Sequence, residues 1–110
     1  MDELVKDTIN LNPRNAPISE RRRVYSKFAG QVQQALLGLY YAGMDVPFNL
    51  LGSRNQIDSF MKALSGEKKY MDSYIKNGLN DQRTLRSRHK LQAAVTRFET
   101  ETGLRWPFKN

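Results

Sequence analysis

Cationic side chains recur between positions 82 and 97 without an acidic residue among them. Spacings of three, four and seven residues place four of these cations in one row on a helix. The four are Arg83, Arg86, Lys90 and Arg97, and His89 lies beside them. Because phosphates repeat regularly along a polyanion, we predict that this row binds DNA or RNA, mainly through phosphate contacts.

Other cations would join this row if the fold brings them near it. Arg21, Arg22 and Arg23 begin the strongest helical pattern, where the unpaired N–H groups of a helix start also suit a phosphate. The central helical pattern carries Lys62, Lys68, Lys69 and Lys76. Polar residues that could add hydrogen bonds to phosphates or bases are Asn80, Gln82, Thr84 and Ser87.

Neighbouring carboxylates decide how much of this positive charge is free. Several cations have a carboxylate four positions away, close enough on a helix to form an ion pair. Among these pairs are Arg54 with Asp58, Lys68 with Asp72, and Arg97 with Glu101. The hypothesis also requires that the carboxylates of Glu67, Asp72 and Glu99 do not face the cationic row.

Catalytic and metal-binding chemistry has little support in this sequence. His89 is the only histidine and is flanked by Arg88 and Lys90, which makes it a poor general base. The chain has no cysteine, and it contains neither a glycine-rich phosphate loop nor a calcium-binding loop. We predict a protein that is not an enzyme and that uses no metal and no cofactor.

The composition is that of one globular domain. A chain of 110 residues hides roughly two-thirds of the surface it exposes when unfolded, which is enough for a single core. Its net charge of +7 attracts nucleic acid, anionic lipid or acidic protein surfaces. No apolar run approaches the roughly 20 residues that span a bilayer, and the acidic start is unlike a signal peptide. We predict a cytoplasmic protein without a membrane partner.

Helical periodicity predicts an all-α fold, a small bundle of three to four helices. An irregular arm over 1–18, with at most a short helix, precedes a helical domain over 19–110, because Pro13 and Pro17 oppose regular structure. The first helix is predicted over 19–43. No strand is predicted, because no segment shows sustained alternation of apolar and polar residues.

Capping residues define the other helices. Ser53 and Gln56 form a capping box, which starts a helix that reaches Asn77 or breaks at Gly66. Gly78 is the expected terminator of that helix.

The last helix is predicted to start after a cap at Asn80 or Asp81 and to stop at Gly103. Beyond it lies the sequence Trp106-Pro107-Phe108. We predict that this segment folds under the body as a C-terminal plug, because aromatic burial supplies much of a small core.

A protein-binding or assembly role, as an inhibitor, adaptor or particle component, is the alternative. Large apolar residues outside clear helical faces would form its docking surface. They are Tyr40, Tyr41, Val46, Phe48, Leu50, Leu51, Trp106 and Phe108.

The turn Asn77-Gly78-Leu79 has the outline of a helix-turn-helix, but the residues around it suit that motif poorly. Such a small basic chain resembles many accessory products of phages and mobile elements.

Overall fold

Three long helices make up most of the protein. The computed structural model describes residues 7–42 and 48–108, apart from the side chains of residues 7, 15, 39–42 and 48. In these ranges the helices are α1 (Ile18–Ala42), α2 (Arg54–Asn77) and α3 (Gln82–Thr102). The predicted small helical domain is therefore confirmed at this level.

Two short strands lie on either side of α1 in the chain. They are β1 (Asp7–Asn10) and β2 (Phe48–Leu51), and they pair in parallel with Ile9 opposite Leu50. The sequence predicts no strand and places at most a short helix before residue 19, so β1 and β2 differ from expectation. Four residues are too few to show alternation, and parallel strands joined through a helix have no hairpin turn between them.

The segment around β1 is part of the core. Ile9 and Leu11 are completely buried, and Leu11 donates its N–H to the Leu51 carbonyl at 2.8 Å. The Gln31 side chain donates from Nε2 to the Thr8 carbonyl at 2.9 Å, which ties α1 to the strand. Residues 7–11 are thus held by both backbone and side-chain hydrogen bonds.

The predicted capping box starts α2. Ser53 donates its N–H to Gln56 Oε1 at 2.8 Å, and Gln56 donates its N–H to Ser53 Oγ at 3.2 Å. The helix is continuous through Gly66, which faces α3; a Cβ atom at this position would meet Leu91 at 3.4 Å. It ends at Gly78, as predicted, where φ is +86°.

α3 returns antiparallel to α2. Asp81 caps its start, and Gly103, in the left-handed conformation that favours glycine, ends it, both as predicted. Thr84 near the start of α3 contacts Ser73 near the end of α2, with 3.1 Å between the two hydroxyl oxygens. The two helices therefore form a hairpin of about 30 Å in length.

An aromatic cluster joins the three helices to the C-terminal segment. The rings of Phe28 on α1 and Phe98 on α3 stack with centroids 5.6 Å apart. Phe60 on α2 lies 6.0 Å from Phe98, and Trp106 lies 5.3 Å from it. All four side chains are at most 2% exposed, so this cluster is the centre of the core.

We expect Phe98→Ala to lower the free energy of unfolding by about 3–5 kcal/mol, because truncation leaves a cavity between three other rings. Leu85→Ala on the same helix is the control, since Leu85 is 40% exposed and should cost about 0.5 kcal/mol or less. Urea unfolding followed by circular dichroism measures both. Equal losses would show that the cluster is not the centre of the core.

Candidate nucleic-acid interface

The predicted cationic row lies on the flank of α3. Arg83, Arg86 and Lys90 are exposed and Arg97 is half-buried. A different side of the helix is buried, formed by Thr84, Leu91, Val95, Phe98 and Thr102. The helical geometry therefore leaves the row open to solvent along most of its length.

Arg83, at one end of the row, is paired with the residue that caps the helix. Its Nε and Nη2 atoms donate to the Asp81 carboxylate at 3.0 and 3.2 Å, and Asp81 also accepts the Arg83 backbone N–H at 2.8 Å. These hydrogen bonds lower the pKa of Asp81 and raise that of Arg83. The cation is thus held in place and partly neutralised.

Arg97, at the other end, pairs across the hairpin. Its Nη1 atom donates to Asp58 Oδ2 at 2.9 Å, and Lys62 Nζ lies 3.3 Å from the same oxygen. The sequence predicts that Arg97 pairs with Glu101 and that Arg54 pairs with Asp58. In the structure the carboxylate partner of Arg97 is instead Asp58, which lies on the antiparallel neighbour α2. Hydrogen bonds from Arg97 and then Lys62 lower the pKa of Asp58.

The Asp58–Arg97 contact shows which side of α2 adjoins the cationic row. Lys62, Lys69 and Lys76 recur every seven residues, so they lie on that same side of α2, and all three are exposed. The hairpin therefore places two cationic rows next to each other, on the side facing away from the core. We call this surface the basic face; it consists of Lys62, Lys69, Lys76, Arg83, Arg86, Lys90 and Arg97.

Four members of the basic face form no ion pair with a described carboxylate, although Arg86 acts at longer range on Asp81 and helps to lower its pKa. Among the residues that the structure describes, no carboxylate oxygen lies within 4.0 Å of the cationic groups of Lys69, Lys76, Arg86 or Lys90. The predicted pair of Lys68 with Asp72 forms at 2.9 Å, outside the face. These four cations make the basic face positive, and its members that pair with a described carboxylate are Lys62, Arg83 and Arg97.

The other predicted cations lie away from this centre. Arg21 donates to the carbonyls of Ala16 and Arg14 at 3.2 Å each, while Arg22 and Arg23 are exposed. Because the Arg14 guanidinium lies over Gly103, the start of α1 is near the end of α3, about 30 Å along that helix from Arg83.

His89 is exposed on α3 beside the row. Of the polar residues predicted to aid binding, Thr84 is completely buried. Its hydroxyl donates to the Ser73 carbonyl at 3.2 Å, so it holds the hairpin together and is not available to a ligand. Asn80 and Gln82 are exposed, and Ser87 is half-buried.

The carboxylates that would have weakened the hypothesis have other partners. Glu99 Oε2 accepts the backbone N–H of Trp106 at 2.9 Å, and Asp72 pairs with Lys68. Glu67 Oε1 accepts the Trp106 indole N–H at 2.9 Å. Among the described residues, Asp58 and Asp81 are the carboxylates that pair with the basic face. The Asp58–Arg97 pair could not be read from the sequence, because 39 residues separate the two.

The residues predicted to form an apolar docking surface differ in their exposure to solvent. Trp106 is buried, Leu50 and Phe108 are half-buried, and Leu51 is 58% exposed. The side chains of Tyr40, Tyr41, Val46 and Phe48 lie outside the described residues. Exposed apolar side chains instead gather on the last turns of α2 and the turn after it: Met71, Tyr74, Ile75 and Leu79.

Glu67 is a functional candidate that the sequence does not reveal. It is 5% exposed and faces a cavity of about 650 Å³ between α1, α2, α3 and the C-terminal segment. Burial raises the pKa of Glu67, and the indole hydrogen bond only partly offsets this shift. Its position in the apolar stripe of α2, next to Leu64, was the available signal.

The raised pKa of Glu67 has a defined effect on stability. Its stabilising contribution is fully present below the unfolded pKa and is lost as the pH rises through the higher folded pKa. Glu67→Gln keeps an oxygen for the indole but cannot ionise. We expect the variant to gain stability relative to the parent as the pH rises above about 4, the ordinary range of a glutamate pKa, measured by urea unfolding.

Asp58→Asn is a control in which stability should change with pH in the opposite direction. The pKa of Asp58 is lowered, so its contribution is present above the unfolded pKa and is lost as the pH falls. Asp58→Asn should therefore lose stability relative to the parent as the pH rises. A pH-independent difference between Glu67→Gln and the parent would contradict the assignment of a raised pKa.

No helix within residues 7–42 and 48–108 has the length and apolarity to cross a membrane. In the same ranges, no three His, Asp or Glu side chains converge as a metal site requires. Comparison with protein-family models, with curated proteins and with solved structures found no match to this chain. The chemistry of the described side chains is therefore the basis for a functional proposal.

Proposed function

We propose that this protein binds nucleic acid through the basic face of the α2–α3 hairpin, in an accessory or regulatory role. The observation that carries the proposal is a group of four cations that form no ion pair with the described carboxylates: Lys69, Lys76, Arg86 and Lys90. These cations lie beside one another on adjacent helices, so one polyanion can contact all of them together.

The dimensions of the basic face suit a nucleic-acid backbone. From Lys62 to Lys76 the α2 row extends about 21 Å, at a rise of 1.5 Å per residue. Duplex DNA carries one negative charge per about 1.7 Å of axis, so that length presents roughly twelve phosphates. Displacement of their counterions by the protein provides the driving force, which weakens as salt is added.

The paired arginines at the ends can also contribute. A guanidinium has five N–H donors, and Arg83 uses only Nε and Nη2 toward Asp81. Arg97 uses Nη1 toward Asp58. Each therefore keeps donors for a phosphate, and the ion pairs hold the two guanidiniums in fixed positions.

Contacts to phosphate rather than to bases follow from the width of this surface. Two adjacent helices measure about 20 Å across with their side chains, whereas the major groove is about 12 Å wide. The basic face therefore rests on the backbone and does not insert into the groove. The burial of Thr84, which was a candidate for base contacts, agrees with limited sequence preference.

We expect Arg86→Gln/Lys90→Gln to weaken binding to a random DNA duplex about tenfold or more at about 50 mM salt. The slope of log K against log salt should become less steep by about two, since two phosphate contacts are lost. Fluorescence anisotropy of a labelled duplex measures both, and the same titration with single-stranded RNA compares the two nucleic acids.

Arg22→Gln/Arg23→Gln is the charge-matched control, because both residues are exposed at the start of α1 and lie away from the basic face. This variant should bind nearly as well as the parent. Equal weakening in both double variants would show that net charge, and not the basic face, determines binding. A parent protein that does not bind at low salt would reject the proposal.

A second candidate function is docking to a protein, and the exposed apolar side chains at the end of α2 favour it. Ile75 is 73% exposed, Leu79 48% and Tyr74 46%. Large apolar side chains that cluster on a surface often mark interfaces. The simplest partner is a second copy of the chain.

We expect Ile75→Lys to reduce association through this surface, because it places a charge among the apolar side chains. Light scattering at high salt should give a mass above that of the monomer for the parent and a lower mass for the variant. Lys69→Gln, on a different side of α2, is the control and should leave the mass unchanged. A monomeric parent that binds no hydrophobic dye would reject this candidate.

A further inference from the structure

The cavity beside Glu67 lies on the opposite side of the α2–α3 hairpin from the basic face. Its volume of about 650 Å³ is within the range of small-molecule sites. Leu36 of α1, Leu91 and Val95 of α3 and the C-terminal Trp106 and Phe108 contribute apolar walls. Its rim on α3 is polar, because Arg88, Gln92 and Thr96 are exposed.

One carboxylate oxygen of Glu67 faces this cavity without a protein partner. Oε1 accepts the Trp106 indole N–H at 2.9 Å, and no donor reaches Oε2 among the described residues. In that part of the chain, every side-chain oxygen that is shielded from solvent has a hydrogen-bond partner. Because Oε2 has no such partner, it must be accessible to solvent. Oε2 of this 95% buried residue therefore opens into the cavity.

An ionised carboxylate in this position needs a cation that the described part of the chain does not provide. Within the described ranges, no Lys, Arg or His nitrogen lies within 4.0 Å of Glu67. Burying a charge is costly unless it is paired and hydrogen-bonded. A ligand that brings a cationic hydrogen-bond donor would supply the missing partner.

Three aromatic residues line the same cavity as Glu67. Trp106 and Phe108 are in edge contact with centroids 6.1 Å apart, and Tyr70 lines the same cavity. The faces of aromatic rings attract organic cations, most strongly in the case of Trp. The walls therefore suit both the charge and the apolar body of an organic amine.

We propose that this cavity binds a small organic amine, with its ammonium group on Glu67 Oε2 and its apolar body against Trp106 and Phe108. The ammonium donates to the carboxylate, and the remaining apolar atoms displace water from the cavity. This site is independent of the basic face. Occupying it is therefore compatible with nucleic-acid binding on the other side of the hairpin.

Among the described residues, Arg88 at the rim is the one cationic residue that lines the cavity. It is exposed, so water and salt screen its charge, and it does not pair with Glu67. The amine is held by the buried carboxylate, and Arg88 contributes no attraction. Arg88→Gln therefore serves as a control that removes a charge from the cavity without removing the proposed ligand partner.

The experiment uses the fluorescence of Trp106, the only tryptophan in the chain. Cyclohexylmethylamine should shift its emission in a saturable way. Cyclohexylmethanol, which has the same shape without the charge, should have an affinity that is lower by a factor of about ten or more. Cyclohexanecarboxylate should not bind, because its charge repels that of Glu67.

Glu67→Gln should weaken amine binding about tenfold or more and leave the binding of the alcohol unchanged. Arg88→Gln should bind the amine at least as tightly as the parent. Circular dichroism confirms that each variant is folded, and Phe108→Ala tests the wall separately and should weaken both ligands. Equal affinity for amine and alcohol in the parent, or unchanged amine binding in Glu67→Gln, would overturn the proposal.

Discussion

The antiparallel packing of α2 against α3 determines where both candidate sites lie. Thr84 against Ser73 holds one end of the hairpin, Asp58 against Arg97 holds the other, and Leu91 packs on Gly66 between them. Because this register is set, the cationic rows of the two helices are neighbours on one side. The same register directs Glu67 to the other side, toward the core.

The two sides of the hairpin show how solvent decides the cost of a charge. Cations on the basic face repel one another, but water and salt screen that repulsion over about 8–10 Å. Glu67 has no such screening, so its charged form is disfavoured and its pKa is raised. In each case the unbalanced charge is the basis of the ligand that we propose: a polyanion on the basic face and an organic cation in the cavity.

Local features were predicted well because short-range physics controls them. The capping box at Ser53, the cap at Asp81 and the glycine terminators at Gly78 and Gly103 each depend on residues within one helical turn. Contacts between distant segments were predicted less well. Arg97 has one carboxylate four residues away in sequence, yet the chosen partner is 39 residues distant in the chain.

The sequence by itself determined that the chain is mainly helical, that a capping box at Ser53 starts α2, that Gly78 and Gly103 end α2 and α3, and that four cations share one side of α3. Only the tertiary structure decided that β1 and β2 pair, that the lysines of α2 join the basic face, and that Glu67 is buried under Trp106. The physical reason is the distance along the chain over which each interaction acts. Periodicity and capping act over a few residues, whereas strand pairing, ion pairs across a hairpin and desolvation depend on which segments meet.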